Sequence, residues 1–367
     1  MRIAVLGGSA VWTVSLVQAL RALPIELVLH GRNERRLKLV ARHARHWLAD
    51  DVDIATDIGR AVEGADMVVV QIRYGGLEAR AEAEQRAWAL GCPADETLGP
   101  AALHMAMAAA PQLRDLGRVL AERCPKAWVL NMVNPLGIST ALLSEAHERV
   151  LGICELPHTT ADKAAVEIGS FPWRVEGLNH RSFLCVEPAV LDRIGETLVG
   201  LPGAWARELG AIPTKYHRVV RESSPPGASR ASALIDLRDR IVSELAHSPG
   251  RIPPSLGQRV TDWYTDGLVP VIRALMRGSG TRSVNLACDD GLVRERLVRF
   301  TPRGFEALPG CLPPAARAWV ETFEAHERAV LAAVRRQGPL ENALALDPVV
   351  SRSPLRQLPP LRASTRR

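Results

Sequence analysis

The residues best placed to do chemistry lie between Asn131 and His180. The stretch NMVNPLGISTALLSEAHERVLGICELP carries Asn131 and Asn134 just after an apolar run, and Cys154 and Glu155 just after a second one. His180 closes a third short segment, VEGLNH, and is the natural partner for Cys154. In an open α/β sheet, ligands gather in the crevice beyond the carboxyl ends of the strands. Two amides, a thiol, a carboxylate and an imidazole are therefore expected to share one cleft. Taken alone, each has a plainer reading, because a lone cysteine or histidine is more often a core residue.

The elements that must position them follow from hydrophobic pattern. RIAVL, IELVLH, ADMVVVQI, KAWVLNMV and RVLGI are continuous apolar runs of the kind that form parallel strands covered on both faces. Helical patterns separate them, so residues 1–160 read as a doubly wound sheet. The first run enters Gly7-Gly8-Ser9-Ala10 and then a helix, the arrangement that receives a pyrophosphate on backbone N–H groups, although the strict GxGxxG spacing is absent. IELVLH ends at His30 and Arg32, with no Asp or Glu for a ribose diol; Arg32, with Arg35 or Arg36, could meet a 2′-phosphate, so NAD and NADP both stay open. Arg73 and two glycines follow ADMVVVQI, where close backbone approach to a ligand is permitted.

Beyond His180 helical segments dominate: ETLVGLPGAWARELGA, SRASALIDLRDRIVSELAH, DWYTDGLVPVIRALMR and PPAARAWVETFEAHERAVLAAVRRQ. SVNLACDDGLV and ERLVRFTP read as strands of a small antiparallel sheet. Residues 161–350 are thus expected to be a second, α+β domain for substrate, metal and oligomer contacts, and 351–367, rich in proline and arginine, a loose tail.

Composition narrows the function. The chain has 367 residues, is 47% hydrophobic and 23% charged, and carries a net charge of +6, ordinary values for a soluble enzyme. Its arginines are scattered and only 4% of residues are aromatic, which argues against nucleic-acid binding. Six cysteines without a CxxC are expected to be free thiols. No apolar run is long enough to span a bilayer, and MRIAVLGG lacks the layout of a signal peptide, so a cytoplasmic location and no membrane partner are expected.

Seven blocks, in order, resemble glycoside hydrolase family 4: VLGGSAVWT, VVVQIRYGGLEAR with DETLGP, NMVNPLGISTALL with GICELP, EGLNHRSF, GAIPTKYHRVV, QRVTDWYTD and LENALALDPVV. The resemblance implies a lactate/malate dehydrogenase-like fold, a nicotinamide cofactor and a divalent metal, commonly manganese. It also implies glycosidase chemistry outside the two-carboxylate scheme. In that scheme's place, C3 of the sugar is oxidised, C2 deprotonated, the aglycone eliminated, water added and the hydride returned. On this reading Cys154 and His180 match the metal ligands, and Tyr216 the base. Asn134 matches an asparagine touching cofactor and sugar. Asn131 joins the cofactor contacts with Gly7, Gly8, Ser9, Ala10, Arg32 and Arg73. Arg80, Asn179 and Arg259 join Asn134 and Glu155 at the substrate, Arg259 from this subunit or a neighbouring one. A homodimer or homotetramer is implied.

This chain also departs from the pattern. Glu155 stands where other members carry Asn or Asp, and a carboxylate there could protonate a leaving oxygen. Ala83 replaces an Asp, Ala108 an Arg, and His30 an Asp. Trp12 fills a place usually small or polar, Val260 and Thr261 replace two glycines, and the tyrosines after Tyr216 are missing. The expected substrate is therefore a glycoside with or without a 6-phosphate. The alternatives are a nicotinamide-dependent sugar or 2-hydroxyacid dehydrogenase, which would consume its cofactor stoichiometrically, and an inactive sugar- or nucleotide-binding regulator.

Overall fold

The computed structural model describes residues 1–48, 52–222, 229–310 and 312–350. The N-terminal half alternates as expected. Strands β1 (Arg2–Leu6), β2 (Glu26–His30), β3 (Val52–Ala55), β4 (Met67–Val70), β5 (Trp128–Asn131) and β6 (Val150–Gly152) are parallel. Helices α1 (Thr13–Leu20), α2 (Glu34–Leu48), α3 (Ile58–Val62), α4 (Gly76–Ala89), α5 (Gly99–Arg123), α6 (Leu136–Ser144) and α7 (Leu156–Ile168) lie between and after them. The spatial order is β3-β2-β1-β4-β5-β6, a Rossmann-like doubly wound sheet whose order reverses between β1 and β4. Strand pleating sends alternate residues to opposite cores. Ala4, Leu6, Val68 and Val70 face one, while Ile3, Val5, Met67 and Val69 face the other.

The second half adds β7 (Arg174–Gly177), β8 (Phe183–Cys185), α8 (Pro188–Leu191), β9 (Thr197–Leu198), β10 (Leu201–Pro202), α9 (Gly203–Leu209), β11 (Ile212–Pro213), α10 (His217–Arg221) and α11 (Arg230–His247). After it come a 3₁₀ turn (Pro254–Gln258), a π-helical turn (Trp263–Leu268), α12 (Val269–Arg277), β12 (Thr281–Ala287), β13 (Val293–Thr301), β14 (Gly304–Ala307), α13 (Pro314–Val334) and α14 (Leu340–Leu346).

Three expectations are corrected here. β12 and β13 do not form a separate small sheet: β12 pairs antiparallel with β6, and the order continues β6-β12-β13-β7-β8-β11. The segment from Glu196 is not helical throughout, because Gly200 (φ +71) turns the chain into the β9–β10 hairpin and the helix starts only after Pro202. The DWYTDGL stretch opens as a π-helical turn, with Pro270 supplying no N–H where it joins α12. The expected loose tail, 351–367, lies outside the described residues, as does Cys311; the other five cysteines are free thiols. Among the described residues no helix is long and apolar enough to cross a membrane.

Candidate active site

The sheet itself sets the positions of Cys154 and His180. Gly152, Asn285, Glu295 and Gly177 are register partners across β6, β12, β13 and β7. Cys154 leaves this row two residues past Gly152, and His180 three past Gly177. The two glycines allow the close packing: a Cβ on Gly152 would lie 2.8 Å from that of Asn285, and one on Gly177, where φ is +136, 2.7 Å from Ser182 Cα. His180 itself sits at φ +64, a backbone conformation non-glycine residues rarely adopt, and Thr97 and Thr214 hold it there. Its Nδ1 lies 2.7 Å from Thr97 Oγ1, and its carbonyl accepts from Thr214 Oγ1 at 2.9 Å. Nε2 is the nitrogen left to face the cleft. Burial holds the imidazole neutral, with a pKa pushed down to about 3.

Burial, with Glu155 and Glu295 nearby, raises the Cys154 thiol well above its ordinary value. A positive ion beside the sulfur would reverse that preference, since a coordinating thiol is deprotonated outright. Asn179, 1% exposed, reaches Cys154 and Glu295 with its amide. A soft thiolate and a neutral imidazole fit a divalent transition ion with open positions. Among the described residues no third His, Cys, Asp or Glu closes the set.

Tyr216 stacks on His180, the rings 4.0 Å apart and 7° from parallel, and Lys215 Nζ lies 5.5 Å from the tyrosine ring. Burial, then Asp95, Glu96, Cys154 and Glu155, push the phenol well above its ordinary pKa. A phenol so placed would need a cation in the cleft to give up its proton. Glu155 precedes α7, its Oε2 3.9 Å from Cys154 Sγ. Burial, despite Lys215, raises its pKa, which suits a carboxylic acid that donates a proton.

A cationic cluster flanks this group. Glu96 Oε1 meets Arg73 Nη1 at 2.7 Å and Arg80 Nη1 at 2.6 Å. Burial would raise the Glu96 carboxyl, but the two arginines hold it at about 2. Arg80 also meets Glu84 at 2.9 Å, and Glu84 in turn accepts from Ser229 Oγ and the Ala231 N–H at the start of α11. Arg259 is in the field of Glu96 and of three like charges, Arg73, Arg230 and Arg80. Asn134 lines the same cavity as Arg73, Arg80 and Glu96. The sequence reading missed Glu96, Asp95 and Thr97. The DETLGP block was visible, but pairing those residues with Arg73, Arg80 and His180 takes the fold.

Other expected contacts are corrected. Asn131 is fully buried; its amide N–H groups go to Ser139 and Thr140, and its carbonyl accepts from the Val133 N–H. It builds the turn after β5 and offers no free donor to a cofactor. In the glycine turn, the N–H groups of Gly7 and Gly8 donate to the His30 carbonyl and that of Ala10 to Gly7. Only the Ser9 N–H is left of the four expected donors, beside those of Val11 and Trp12. The turn still fits a dinucleotide: Gly7 has φ +93, and a Cβ there would strike the Gln71 carbonyl at 2.9 Å. Arg73 pairs with Glu96 through one guanidinium nitrogen. At the end of β2, His30 is 4% exposed with Nδ1 unpartnered, and Arg32 stands exposed beside it.

Comparison with known proteins bears on this geometry. Residues 2–169 match the family model described as family 4 glycosyl hydrolase. The "Probable 6-phospho-beta-glucosidase" of Bacillus subtilis is 25% identical, the alignment covering 94% of this chain and 90% of that protein. The 6-phospho-beta glucosidase of Thermotoga maritima, solved with manganese, NAD+ and glucose-6-phosphate, superposes with a TM-score of 0.81 at 21% identity, over 95% of this chain and 94% of that one. The malate dehydrogenase of Cryptosporidium parvum superposes more loosely, with a TM-score of 0.55 at 11% identity over 91% and 99%, as the shared Rossmann-like sheet requires. The family model runs from β1 through α7 and the Bacillus subtilis relative aligns almost end to end, so the chain is similar to the family 4 glycosyl hydrolases through its N-terminal half and to that relative throughout.

Proposed function

We propose that this chain is a NAD- and manganese-dependent glycosidase whose substrate is a 6-phosphorylated glycoside. The observation that carries the reading is the meeting of Cys154, His180 and Tyr216 beside a cluster in which Arg73, Arg80 and Arg259, with Arg230 nearby, gather around Glu84, Asp95 and Glu96. Four cations against three carboxylates leave a positive surplus, which a phosphate would neutralise. Bound in this cleft, a nicotinamide supplies a hydride acceptor for the sugar C3, and a divalent ion supplies a Lewis acid for the neighbouring oxygens.

The chain's own residues do the rest. Cys154 and His180 would hold the ion, and Thr97 keeps the imidazole oriented. Tyr216 takes the C2 proton; a cation held beside it would offset the burial and the nearby carboxylates that raise its phenol. Glu155, whose carboxyl burial shifts upward, delivers a proton to the leaving oxygen. We place the enzyme in the cytoplasm as a homo-oligomer, with residues 161–350 contributing His180, Tyr216 and Arg259 to a site shared with residues 1–160.

The test is deuterium exchange. The protein is incubated in heavy water with Mn2+, NAD+, reductant and α- and β-glycosides, with and without a 6-phosphate. Free sugar deuterated at C2, formed without net NADH and only from phosphorylated substrates, is the expected result. Stoichiometric NADH with no aglycone released would refute the glycosidase reading, and equal turnover of unphosphorylated glycosides would refute the phosphate.

A further inference from the structure

Arg259 is held in an unusual way. Its guanidinium carbon lies 4.7 Å from the centroid of the Trp12 ring and 4.6 Å from that of Trp263, so the cation lies over both indoles. It makes no ion pair among the described residues, and its Nε is buried without a partner. Burial lowers its pKa to about 10, so it is still a cation at neutral pH.

The two indoles come from different elements that are fixed to each other without the arginine. Trp12 ends the glycine turn before α1, and Trp263 opens the π-helical turn. The Tyr264 hydroxyl, next to Trp263, donates to Gln71 Oε1 at 2.6 Å; Gln71 Nε2 donates to Thr13 Oγ1 at 2.9 Å and reaches the Gly7 carbonyl at 3.4 Å. The seat formed by the two rings is thus built by the fold. A planar guanidinium lies over it with its N–H edges free.

We propose that Trp12 and Trp263 are positioning residues: they fix the plane of Arg259 so that its N–H edge meets the phosphate of the substrate. This rests on the phosphorylated-glycoside reading above. It also accounts for a tryptophan where the family pattern has a small or polar residue. Val260 and Thr261 stand where that pattern has two glycines, so the orientation of Arg259 is set by stacking.

The experiment compares KM and kcat for p-nitrophenyl glucoside 6-phosphate, together with binding of glucose 6-phosphate and inorganic phosphate by calorimetry, in the Mn2+- and NAD+-loaded enzyme. Trp12→Leu and Trp263→Leu are expected to raise KM about tenfold at little change in kcat, while Trp12→Phe and Trp263→Phe, which keep a flat π face, stay within about threefold. Arg259→Lys, which keeps the charge and both indoles but not the plane, is expected to lose phosphate binding as the leucine variants do. Folded leucine variants that bind like the wild type would overturn the proposal. So would a fully functional Arg259→Lys, which serves as the test if the leucine variants fail to fold. If instead Arg259→Ala leaves glucose 6-phosphate binding intact, it is the phosphate assignment that fails.

Discussion

Glu96 offers the sharpest test of how the arginine cluster is balanced. Its carboxyl sits at about 2 in the folded chain against an ordinary 4.5, because Arg73 and Arg80 outweigh the cost of burial. The folded value is the lower one, so the stabilisation is fully present above pH 4.5 and is lost as pH falls towards 2. Linkage puts it at about 3 kcal/mol at neutral pH and about 1 kcal/mol at pH 3. Glu96→Gln removes it while keeping the shape of the side chain. Urea unfolding of both proteins at pH 7 should show the variant less stable by about 3 kcal/mol, the full linkage contribution. The gap should narrow by about 2 kcal/mol at pH 3. Adding inorganic phosphate at pH 7 should raise the midpoint more for the variant than for the wild type, since Arg73 and the Arg80 Nη1 group then lack their carboxylate partner. A pH-independent gap, or a gap under about 1 kcal/mol, would mean that the arginines do not hold Glu96 ionised.

Four further outcomes follow from the same geometry. Cys154→Ser should weaken Mn2+ binding, measured by calorimetry, by about 10- to 100-fold or more while leaving the circular dichroism unchanged; full activity of that variant in chelator-treated buffer would remove Cys154 from the metal site. Tyr216→Phe should stop exchange of the C2 proton with solvent at unchanged glucose 6-phosphate binding, and unaltered exchange would take it out of the base role. Glu155→Gln should slow release of poor leaving groups by about 10²-fold or more while sparing activated nitrophenolates, and uniform slowing would argue against an acid. Arg32→Ala should weaken NADP+ binding, followed by fluorescence titration, by several-fold and leave NAD+ nearly unaffected; equal loss of both would place Arg32 away from the ribose.

The alternating half was legible in the residues because its signals are local. Runs such as MVVV are apolar on both faces, which only a covered parallel strand tolerates, and Gly7 permits the sharp turn that opens α1. The same runs put Cys154 and Asn134 at strand ends, and short motifs with fixed order led to His180 and Tyr216. Tertiary structure alone decided what these side chains touch. Asn131 and Asn134 are three residues apart on one loop, yet one is spent inside the β5 turn and the other lines the cleft with Arg80. Glu96 became the pivot of the cation cluster, and Trp12 met Trp263 across Arg259, through contacts between segments far apart in sequence. β12 joined β6 for the same reason: strand pairing depends on which edges the packed helices leave open, and that is a property of the assembled fold. Periodicity and motif order record what a residue requires of its immediate neighbours, whereas the charge and stacking environment of a side chain exists only once distant segments are brought together.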